Sequence, residues 1–312
     1  MAVAQVSRAA VSDDQVVADG VAPDPSAPTS PPGAGRRRRS RRLGLWLAVT
    51  WLVVIVLAAL LADLLPLKSY SELTGVAAQR PGFRGELLGT DLLGRSMLSR
   101  VVYGARASLA VSLGAVLIGA VVGGLVGLVA GFYRGGFDHV VTTLVNSVLA
   151  FPPLVFLMAI AATVGANLVS LVIGLAVLTI PTFTRLARAN SSTFAEREFV
   201  LAARSMGVRN PRILLREVLP NVVPVLLSYM SLLLAVLIIA EGSLSFLGLG
   251  VPPPTPSWGG MIAAGRQHLA DAPHLVFVPG VAMFLTVFSL NVVGDRVRSH
   301  FDITPTTTGG TA

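Results

Sequence analysis

The amino-acid sequence predicts an all-α membrane protein with six transmembrane helices and both termini in the cytoplasm. Hydrophobic residues form 53% of the chain, charged residues form only 13%, and the mean hydropathy is +0.74. Soluble domains usually carry about 25% charged residues. Six apolar stretches, each long enough to cross a bilayer, are separated by polar segments. An even number of spans places the two termini on one side, and the arginines near the span ends place that side in the cytoplasm.

The sequence lacks the residues that catalysis or cofactor binding would need. There is no Cys, which excludes disulfides, thiolate metal sites and cysteine nucleophiles. The only lysine is Lys68, so the chain has no GxxxxGK[ST] phosphate loop. A GxSxG nucleophile elbow is absent as well, and the histidines lie in four separate segments, at His139, His268, His274 and His300. We therefore expect no enzyme, no bound cofactor and no metal here, and any driving energy must come from a partner or an ion gradient.

The net charge of +8 does not indicate nucleic-acid binding. The basic residues fall between apolar stretches, which the positive-inside rule explains. Aromatic residues, which would stack on exposed bases, make up only 6% of the chain. We predict membrane lipid as the partner of this charge, and no nucleic acid.

Residues 1–42 are rich in Ala, Pro, Asp and Ser and end in RRRRSRR. They offer few apolar side chains to bury, which predicts a disordered basic cytoplasmic tail. The arginine cluster at 36–42 is typical of an anchor at anionic headgroups, with nucleic-acid binding or a targeting address as alternatives. Twin arginines before an apolar run also resemble an export signal. Residues 43–65 are long enough to span a bilayer, so we predict an uncleaved first transmembrane helix there.

Residues 66–106 form a polar connection that the first span places outside the cell. Its own positive charge opposes that orientation, but the arginines before the first span and in a later loop outnumber it. Apolar residues recur near helical spacing, which predicts an amphipathic helix at the membrane surface. These residues are Leu92, Leu93, Met97, Val101 and Val102. Residues 107–300 then hold the five remaining spans, and 301–312 form a C-terminal tail.

The second span, residues 109–132, carries glycines four residues apart at Gly119, Gly123, Gly127 and Gly131. This spacing places them on one helix face, where the backbone of another helix can approach closely. Two interpretations stand side by side. The helix either slides against its neighbour during function or packs as glycine-rich membrane helices ordinarily do.

The third span is predicted at residues 140–162, with Pro152 and Pro153 near its middle. Proline removes helical hydrogen bonds, so a kink is expected there. Such a break is tolerated in a membrane where it is buried in protein or lines a wet cavity. The two prolines are therefore candidates for lining a pathway, and simple curvature is the alternative.

The remaining spans are predicted at residues 168–185, 222–247 and 275–293. The fifth of the six contains Glu241, the one acid deep within an apolar run. Carboxylates are costly in a bilayer and usually face the protein interior. Glu241 is a candidate for contacting a cationic substrate group or for latching a gate. A structural hydrogen bond near the outer interface is the alternative.

A polar loop at residues 185–221 separates the fourth and fifth spans and carries seven arginines. Residues 199–206 favour a short helix, and Gly207 is a suitable helix stop. A second helical piece is predicted from Pro211, ending near Pro220. A helix, a glycine stop and a second helix between two spans make a docking knob for a partner on one side of the membrane.

This loop resembles the conserved cytoplasmic loop of ABC-importer permeases, with the pattern EAA---G---------I-LP. Five residues match its register: Ala202, Ala203, Gly207, Leu219 and Pro220. Leu201 stands in place of the usual glutamate, and Glu217 in place of the isoleucine.

Two other stretches, LGTDLLGRSMLSRVVYGARASL and SFLGLGVPPPTPSWGGMI, narrow the resemblance to one permease subunit of dipeptide and oligopeptide importers. This is the binding-protein-dependent subunit type with the GTDxxGR segment and six spans. Ser96 occupies a position where that family usually has an acid. The resemblance covers about residues 43–300, and residues 1–42 lie outside it.

The resemblance implies the type I permease fold and a transport mechanism. The chain would form half of a translocation pathway with a homologous second permease, in the bacterial plasma membrane. Residues 197–212 would dock on one of two cytoplasmic ATPase subunits, which bind ATP and Mg, and Arg204 and Arg209 would meet acidic groups there. Surface anchoring is the alternative role for these arginines. An extracytoplasmic binding protein would deliver the solute.

Two rival classes are weighed against this interpretation. A gradient-driven secondary transporter would use Glu241, but the sequence shows no internal repeat. A membrane enzyme would need a catalytic cluster, and none is present. Within the importer class the cargo stays open between dipeptides, oligopeptides, haem, nickel, opines and glutathione, because the binding protein largely sets selectivity.

Overall fold

A computed structural model describes residues 34–82, 85–165 and 167–301 of the 312-residue chain. The chain divides into two units, residues 1–40 and 41–312. The contacts reported below all lie within the second unit. Of the tails predicted at 1–42 and 301–312, residues 1–33 and 302–312 fall outside the described residues. Residues 34–42, which we expected to be disordered, are helical, in keeping with the helix preference of Ala and Arg.

Helices make up almost all of the described chain, with only two isolated β-bridges and no strand among the described residues. In chain order they are α1 (Ala34–Leu60), α2 (Met97–Ile118), α3 (Gly124–Tyr133), α4 (Gly135–Ala150), α5 (Pro153–Val164), α6 (Leu168–Phe194), α7 (Glu198–Ser205), α8 (Asn210–Ile213), α9 (Leu219–Phe246), α10 (Trp258–Gly265) and α11 (His274–Phe301). Two π-helical turns, Gly119–Gly123 and Leu214–Val218, join α2 to α3 and α8 to α9 without ending the helix.

Five of these helical stretches are long and apolar enough to cross a membrane. They are α1, α2 with α3, α6, α8 with α9, and α11. Helices α4 and α5 are bent by 85° at residues 151–152 and make a sixth span if they count as one. The prediction of an all-α membrane protein is confirmed, with five spans and a sixth that is sharply broken.

The break between α4 and α5 is much sharper than the predicted kink. Phe151 is extended (ψ 133°), as residues before proline usually are. Pro152 caps α5, and Pro153 is its first residue, where its missing N–H costs nothing. The two prolines therefore end one helix and start another instead of bending a single one.

The separate amphipathic helix predicted within residues 66–106 is wrong. Residues 97–106 are the first turns of α2, which continues to Ile118. Met97, Val101 and Ala105 lie at helical spacing and are buried against α10 and α11 rather than at a membrane surface. The apolar spacing was recognised correctly, but its partner is the protein interior.

Two other predicted helix ends are also displaced. Helix α6 does not stop at Arg185 but runs to Phe194, because Arg185 and Arg188 find polar partners on α4. An Arg185 Nη2–H donates to Asn146 Oδ1 at 2.7 Å, and an Arg188 Nη2–H donates to Asp138 Oδ2 at 2.8 Å.

Pro220 does not end the helix that begins at Asn210. It lies in the first turn of α9, directly after the π-helical turn Leu214–Val218. A proline inside a regular α-helix clashes with the carbonyl four residues earlier. The wider π turn accommodates Pro220, so the helical chain runs on to Phe246.

The interior has two main apolar clusters. The larger surrounds α6 and includes buried residues of α2, α3, α7 and α9, among them Phe183, Val200 and Val222. The other joins α1, α2, α10 and α11 around Trp258, which is fully buried. Helix α1 is mostly exposed along its outer side, and the Trp51 indole N–H ties it to Thr286 Oγ1 of α11 at 3.0 Å.

Candidate coupling site

The short helix α7 projects between α6 and α8, where the sequence predicted a docking knob. Arg197 caps it in an extended conformation, Glu198 lies in its first turn, and Arg204 lies in its last turn. An acid at the N-terminal end and a base at the C-terminal end both complement the helix dipole. Because α7 is short, it is stable only through its packing against the rest of the molecule.

Gly207 ends α7 in a left-handed conformation, with φ of 76°. The Gly207 N–H donates to Arg204 O at 2.9 Å, and the Val208 N–H donates to Ala203 O at 3.1 Å. This pair of bonds is a Schellman motif, which satisfies carbonyls that the helix end would leave free. Any side chain at 207 would strain this backbone even though no atom lies within 4 Å of the place for a Cβ.

The inward face of α7 is small and fully buried. Val200 is 0% exposed and Ala203 is 8% exposed, and both join the apolar cluster around α6. Ile213 and Val218, at the start of the next helical stretch, belong to the same cluster and are fully buried. Helix α7 is therefore held against the apolar cluster around α6 by Val200 and Ala203, which lie three residues apart on one helix face.

The outward face of α7 includes Leu201, Ala202 and Ser205, and the C-cap Met206 is exposed beside them. Leu201 is 50% exposed, Met206 is 76% exposed, and Phe199 in the first turn is 41% exposed, so apolar side chains lie together on this surface. Sequence reasoning singled out Ala202 but missed Leu201 and Met206 as surface residues. The sequence contains a signal for these surface residues. Val200 and Ala203 are small apolar residues three positions apart, and if they mark the inward side of an α-helix, Leu201 must face outward.

Arg204 and Arg209 are placed differently from one another. The Arg204 guanidinium carbon lies 5.2 Å from the ring centre of Phe132, at the end of α3. Arg209 is the N-cap of α8, and its carbonyl accepts hydrogen bonds from the Arg212 and Ile213 N–H groups. Arg204 thus contributes a cation–π contact within the chain, while Arg209 shapes the turn through its backbone.

A cavity of about 390 Å³ lies beside α7, between the end of α3 and the end of α6. Arg134 and Glu196 form an ion pair of 2.6 Å at its edge, and both side chains are at least half exposed. Exposed pairs of this kind contribute little to stability. This ion pair joins the residue that follows α3 to the segment that follows α6, beside α7.

Leu219 and Pro220 lie apart from the other residues of the predicted motif. Leu219 is half-buried against the main cluster, and Pro220 is exposed in the first turn of α9. They follow the π turn and do not contribute to the outward face of α7. The motif therefore divides into a mostly exposed part at 201–207, the candidate docking surface, and a part at 219–220 in the first turn of α9.

The four glycines of the second span face α6 directly. A Cβ at Gly123 would lie 2.4 Å from Ile180 O, at Gly127 2.2 Å from Thr184 O, and at Gly131 2.3 Å from Arg188 O. At Gly119 it would lie 2.2 Å from Thr179 Oγ1. We call this contact the glycine seam (Gly119, Gly123, Gly127 and Gly131 against α6). Backbones can approach this closely only because the side chains are absent.

Glu241 is buried, with 1% of its surface exposed. Ser108 Oγ donates to its Oε2 at 3.1 Å, and Ser245 Oγ donates to its Oε1 at 2.9 Å. Ser108 Oγ in turn accepts from the Trp258 backbone N–H at 3.2 Å. The carboxyl group therefore joins α2, α9 and the start of α10, which is the arrangement that a structural hydrogen-bonding role requires.

The described residues contain no group of three or more His, Asp or Glu side chains placed to bind a metal ion. The features that remain are a helical membrane core and a short exposed helix held rigidly against it. They are features of a membrane protein whose described residues offer an exposed helical surface beside the membrane core.

Comparison with known proteins identifies the family. Residues 123–303 match the family described as binding-protein-dependent transport system inner membrane component. A putative peptide transport system permease protein of Brucella suis is 37% identical over 267 residues, which are 85% of this chain and 88% of that protein. The glutathione transport system permease protein GsiD of Pectobacterium atrosepticum is 38% identical over 215 residues, 69% of this chain and 71% of that protein.

Solved structures show the same fold. Two crystal forms of the MetNI methionine ABC transporter in inward-facing conformations match with TM-scores of 0.53 and 0.54, at 21% and 22% identity. Each match covers 65% of this chain and 97% of the other chain. The chain belongs to the binding-protein-dependent transport system inner membrane component family. It is a permease subunit of the ABC transporter class, located in the bacterial inner membrane.

Proposed function

We propose that this chain forms half of the translocation pathway of an ATP-driven importer for dipeptides, oligopeptides or a related small solute. The peptide and glutathione permeases that resemble it support this class of cargo. Glutathione is itself a small peptide, so both kinds of relative agree on a solute with amide bonds and free carboxylates. The cargo itself is identified by isolating the binding protein that co-purifies with the complex and analysing its bound ligand.

The partners follow from the family to which the chain belongs. A homologous second permease completes the pathway, an extracytoplasmic binding protein delivers the solute, and two cytoplasmic subunits bind ATP and Mg and hydrolyse the nucleotide. This chain contributes no catalytic group. Both termini and the loop that carries α7 lie in the cytoplasm, as the arginines at the span ends indicate.

The exposed outer face of α7 is the observation that carries the coupling proposal. Leu201 and Met206 offer an apolar surface, and Ala202 allows a partner backbone to come close. Val200 and Ala203 hold the opposite face in the core. A cleft on an ATPase subunit that grips the outer face moves α7 together with the core beneath it. Residues 197–212 are then the coupling element, and Gly207 permits the turn that ends α7 within it.

The gradient-driven alternative lacks structural support. A carboxylate that couples ion movement to transport has to exchange protons or ions with water in the pathway. Glu241 is 1% exposed, and both its oxygens accept hydrogen bonds from serines. Pro152 and Pro153 remain candidates for lining the pathway, since non-helical backbone in a membrane needs a protein-lined or wet environment.

Replacing Gly207 by Val tests the coupling role. Gly248 supplies a matched control, since it has φ of 77° and no atom within 4 Å of a Cβ position. It also ends its helix with the same two bonds, from the Gly248 N–H to Ser245 O and from the Leu249 N–H to Leu244 O. A side chain in the left-handed conformation costs about 1 to 2 kcal/mol at either position.

We expect Gly207→Val to abolish solute uptake while ATP hydrolysis by the assembled complex continues and membrane insertion is unchanged. Gly248→Val should lose the same amount of stability and retain coupled uptake. The measurements are uptake and ATPase rates in proteoliposomes with the binding protein present. Uptake at the wild-type rate in Gly207→Val contradicts the assignment of α7. Uptake that survives ATP depletion but fails without an ion gradient contradicts the importer itself.

A further inference from the structure

Two arginines share a single buried carboxylate at the start of α2. Asp91 is 9% exposed, and its Oδ1 already accepts the Leu93 and Arg95 backbone N–H groups at 2.9 Å each. Its Oδ2 lies 2.6 Å from Arg95 Nη2 and 3.3 Å from Arg100 Nε. We call Asp91, Arg95 and Arg100 the arginine cluster. Its formal charge is +1.

The second arginine is incompletely paired. Arg100 is 9% exposed, and one of its Nη1–H groups donates to Tyr70 O at 3.2 Å. A guanidinium has five N–H donors, and Nη2 of Arg100 meets no acceptor within the part of the chain that the structure describes. Glu86, a neighbouring carboxylate in the same polar segment, is held by Lys68 at 2.7 Å. A buried cation with free donors is costly unless an anion completes its shell.

A cavity of about 240 Å³ opens directly beside the arginine cluster. Its inner wall is apolar and buried, formed by Met97 of α2, Met261 of α10 and Leu275 of α11. Its mouth lies at Leu93 and Ala264, which are both exposed. The cavity is slightly smaller than typical pockets for drug-sized ligands, so its size suits one amino-acid-sized group.

We propose that this cavity binds a carboxylate that carries an apolar side chain. The carboxylate would accept from the free Nη2 of Arg100 and neutralise the arginine cluster, and the side chain would lie against the two methionines and the leucine. Planar guanidinium groups suit carboxylates because they can donate two parallel hydrogen bonds. The ligand is either the C-terminal residue of a peptide in solution or the head of a fatty acid from the membrane. The inference does not depend on peptides being the transported cargo.

The test uses the full chain within its assembled complex, in lipid nanodiscs, and two small probes. N-acetyl-leucine has the carboxylate and the apolar side chain, and N-acetyl-leucinamide differs only in lacking the charge. Titration calorimetry should show saturable binding of N-acetyl-leucine that is weaker at high salt. The amide should bind at least about tenfold more weakly, because a charged partner is lost from a buried hydrogen bond. Equal binding of the two probes overturns the proposal.

Two variants locate the site, and a third variant serves as the control. Arg100→Gln removes the excess cation while Asp91 keeps Arg95. Ser96→Asp places a second carboxylate one turn before Arg100, at the N-cap of α2, where Asp is a favoured residue. The melting temperature of the complex checks that this variant is folded. Both should weaken N-acetyl-leucine binding by about tenfold. Wild-type affinity in the Ser96→Asp variant overturns the proposal.

Arg106→Gln is the matched control, since Arg106 lies further along α2 and pairs with Asp63 at 2.8 Å instead. Hydrogen bonding from Arg106 holds the pKa of the Asp63 carboxyl below its ordinary value. This variant should bind N-acetyl-leucine as the wild type does. If it loses binding as strongly as Arg100→Gln, the probe recognises surface charge in general and the cavity is not its site.

Competition experiments separate the two natural sources. Displacement of N-acetyl-leucine by the dipeptide Ala-Leu, but not by decanoate, identifies a peptide C-terminus as the ligand. Displacement by decanoate alone identifies an acyl chain from the membrane. Neither result affects the proposed importer function, which stands or fails on ATP-dependent uptake and on Gly207.

Discussion

Gly127 and Gly207 are glycines for opposite physical reasons. Gly127 has ordinary helical geometry, but a Cβ there would lie 2.2 Å from the carbonyl oxygen of Thr184 on α6. Gly207 has open space around it but a φ of 76°. The first glycine is needed for what lies next to it, the second for its own backbone. A substitution at Gly127 therefore disturbs packing, whereas one at Gly207 disturbs only the path of the chain.

The comparison separates a closely packed region of the subunit from an exposed one. The glycine seam brings the π-helical turn Gly119–Gly123 and α3 close to α6, with backbone contacts at three of its four glycines, so these segments should move as one body. Helix α7 is attached to that body through Val200, Ala203 and the Arg204–Phe132 contact. We expect a force applied to the outer face of α7 to displace the seam helices together rather than to bend them.

The largest effect should come from Gly127→Ala. Its new methyl group meets backbone on both sides, at Thr184 O and Arg188 N, and backbone cannot rotate away. We expect a loss of about 2 to 3 kcal/mol in stability, within the range for overpacked cores. Thermal melting of the detergent-solubilised complex measures it. Gly136→Ala, where a Cβ meets no atom within 4 Å, should melt as the wild type does. An unchanged melting temperature in Gly127→Ala would disprove the close contact.

A pair of neighbouring substitutions on α7 should separate attachment from docking. Val200→Ala leaves a cavity under the helix and should cost about 2 kcal/mol. Leu201→Ala, one residue further on, removes a half-exposed side chain and should change stability by less than about 0.5 kcal/mol.

We expect the opposite order for function, with the larger effect from Leu201→Ala and the smaller from Val200→Ala. Leu201→Ala should lower the ATPase stimulation that the loaded binding protein produces in reconstituted complexes. Val200→Ala should keep that stimulation at temperatures below its melting point. Stimulation at the wild-type level in Leu201→Ala would show that no partner grips the outer face.

The smallest effect on the seam should come from Gly119→Ala. The nearest contacts of its Cβ would be side-chain atoms, first Thr179 Oγ1 at 2.2 Å and then Thr179 Cβ at 2.8 Å, so α6 must also yield slightly. That hydroxyl can rotate at the cost of its bonds to Ala115 O and Ala176 O, so we expect a loss of about 1 kcal/mol. Adding Thr179→Ala should recover part of the loss in the same melting assay. If the double variant is less stable than both single variants, the contact is not the one described.

Much of the fold could be predicted because membranes impose strict rules on sequence. Apolar stretches long enough to cross a bilayer have few other structures open to them, and this is why α1, α6, α9 and α11 were found. Gly207 was recognised as the stop of a short helix, and φ is positive there. Proline at 152 and 153 marked the interruption that separates α4 from α5.

The errors arose where distant residues decide the outcome. Arg185 looked like the start of a polar loop because its partner Asn146 lies 39 positions earlier in the sequence. Residues 97–106 looked amphipathic because α10 and α11, which cover them, could not be placed beforehand. The exposed face of α7 was only half identified, since which side of α7 is exposed depends on how Val200 and Ala203 pack. The arginine cluster was not predicted, because the sequence does not show that Arg95 and Arg100 share the single carboxylate of Asp91.

The π-helical turn Leu214–Val218 sets the rotational phase between the knob and the span that follows. A π turn holds one residue more than the α-helical turn it replaces, and each residue of an α-helix accounts for about 100° of rotation. An α-helical turn that kept this extra residue would rotate α8, with α7 attached, by about 100° around the axis of α9. The π turn instead absorbs the residue locally, so the outer face of α7 keeps its direction relative to the span that follows.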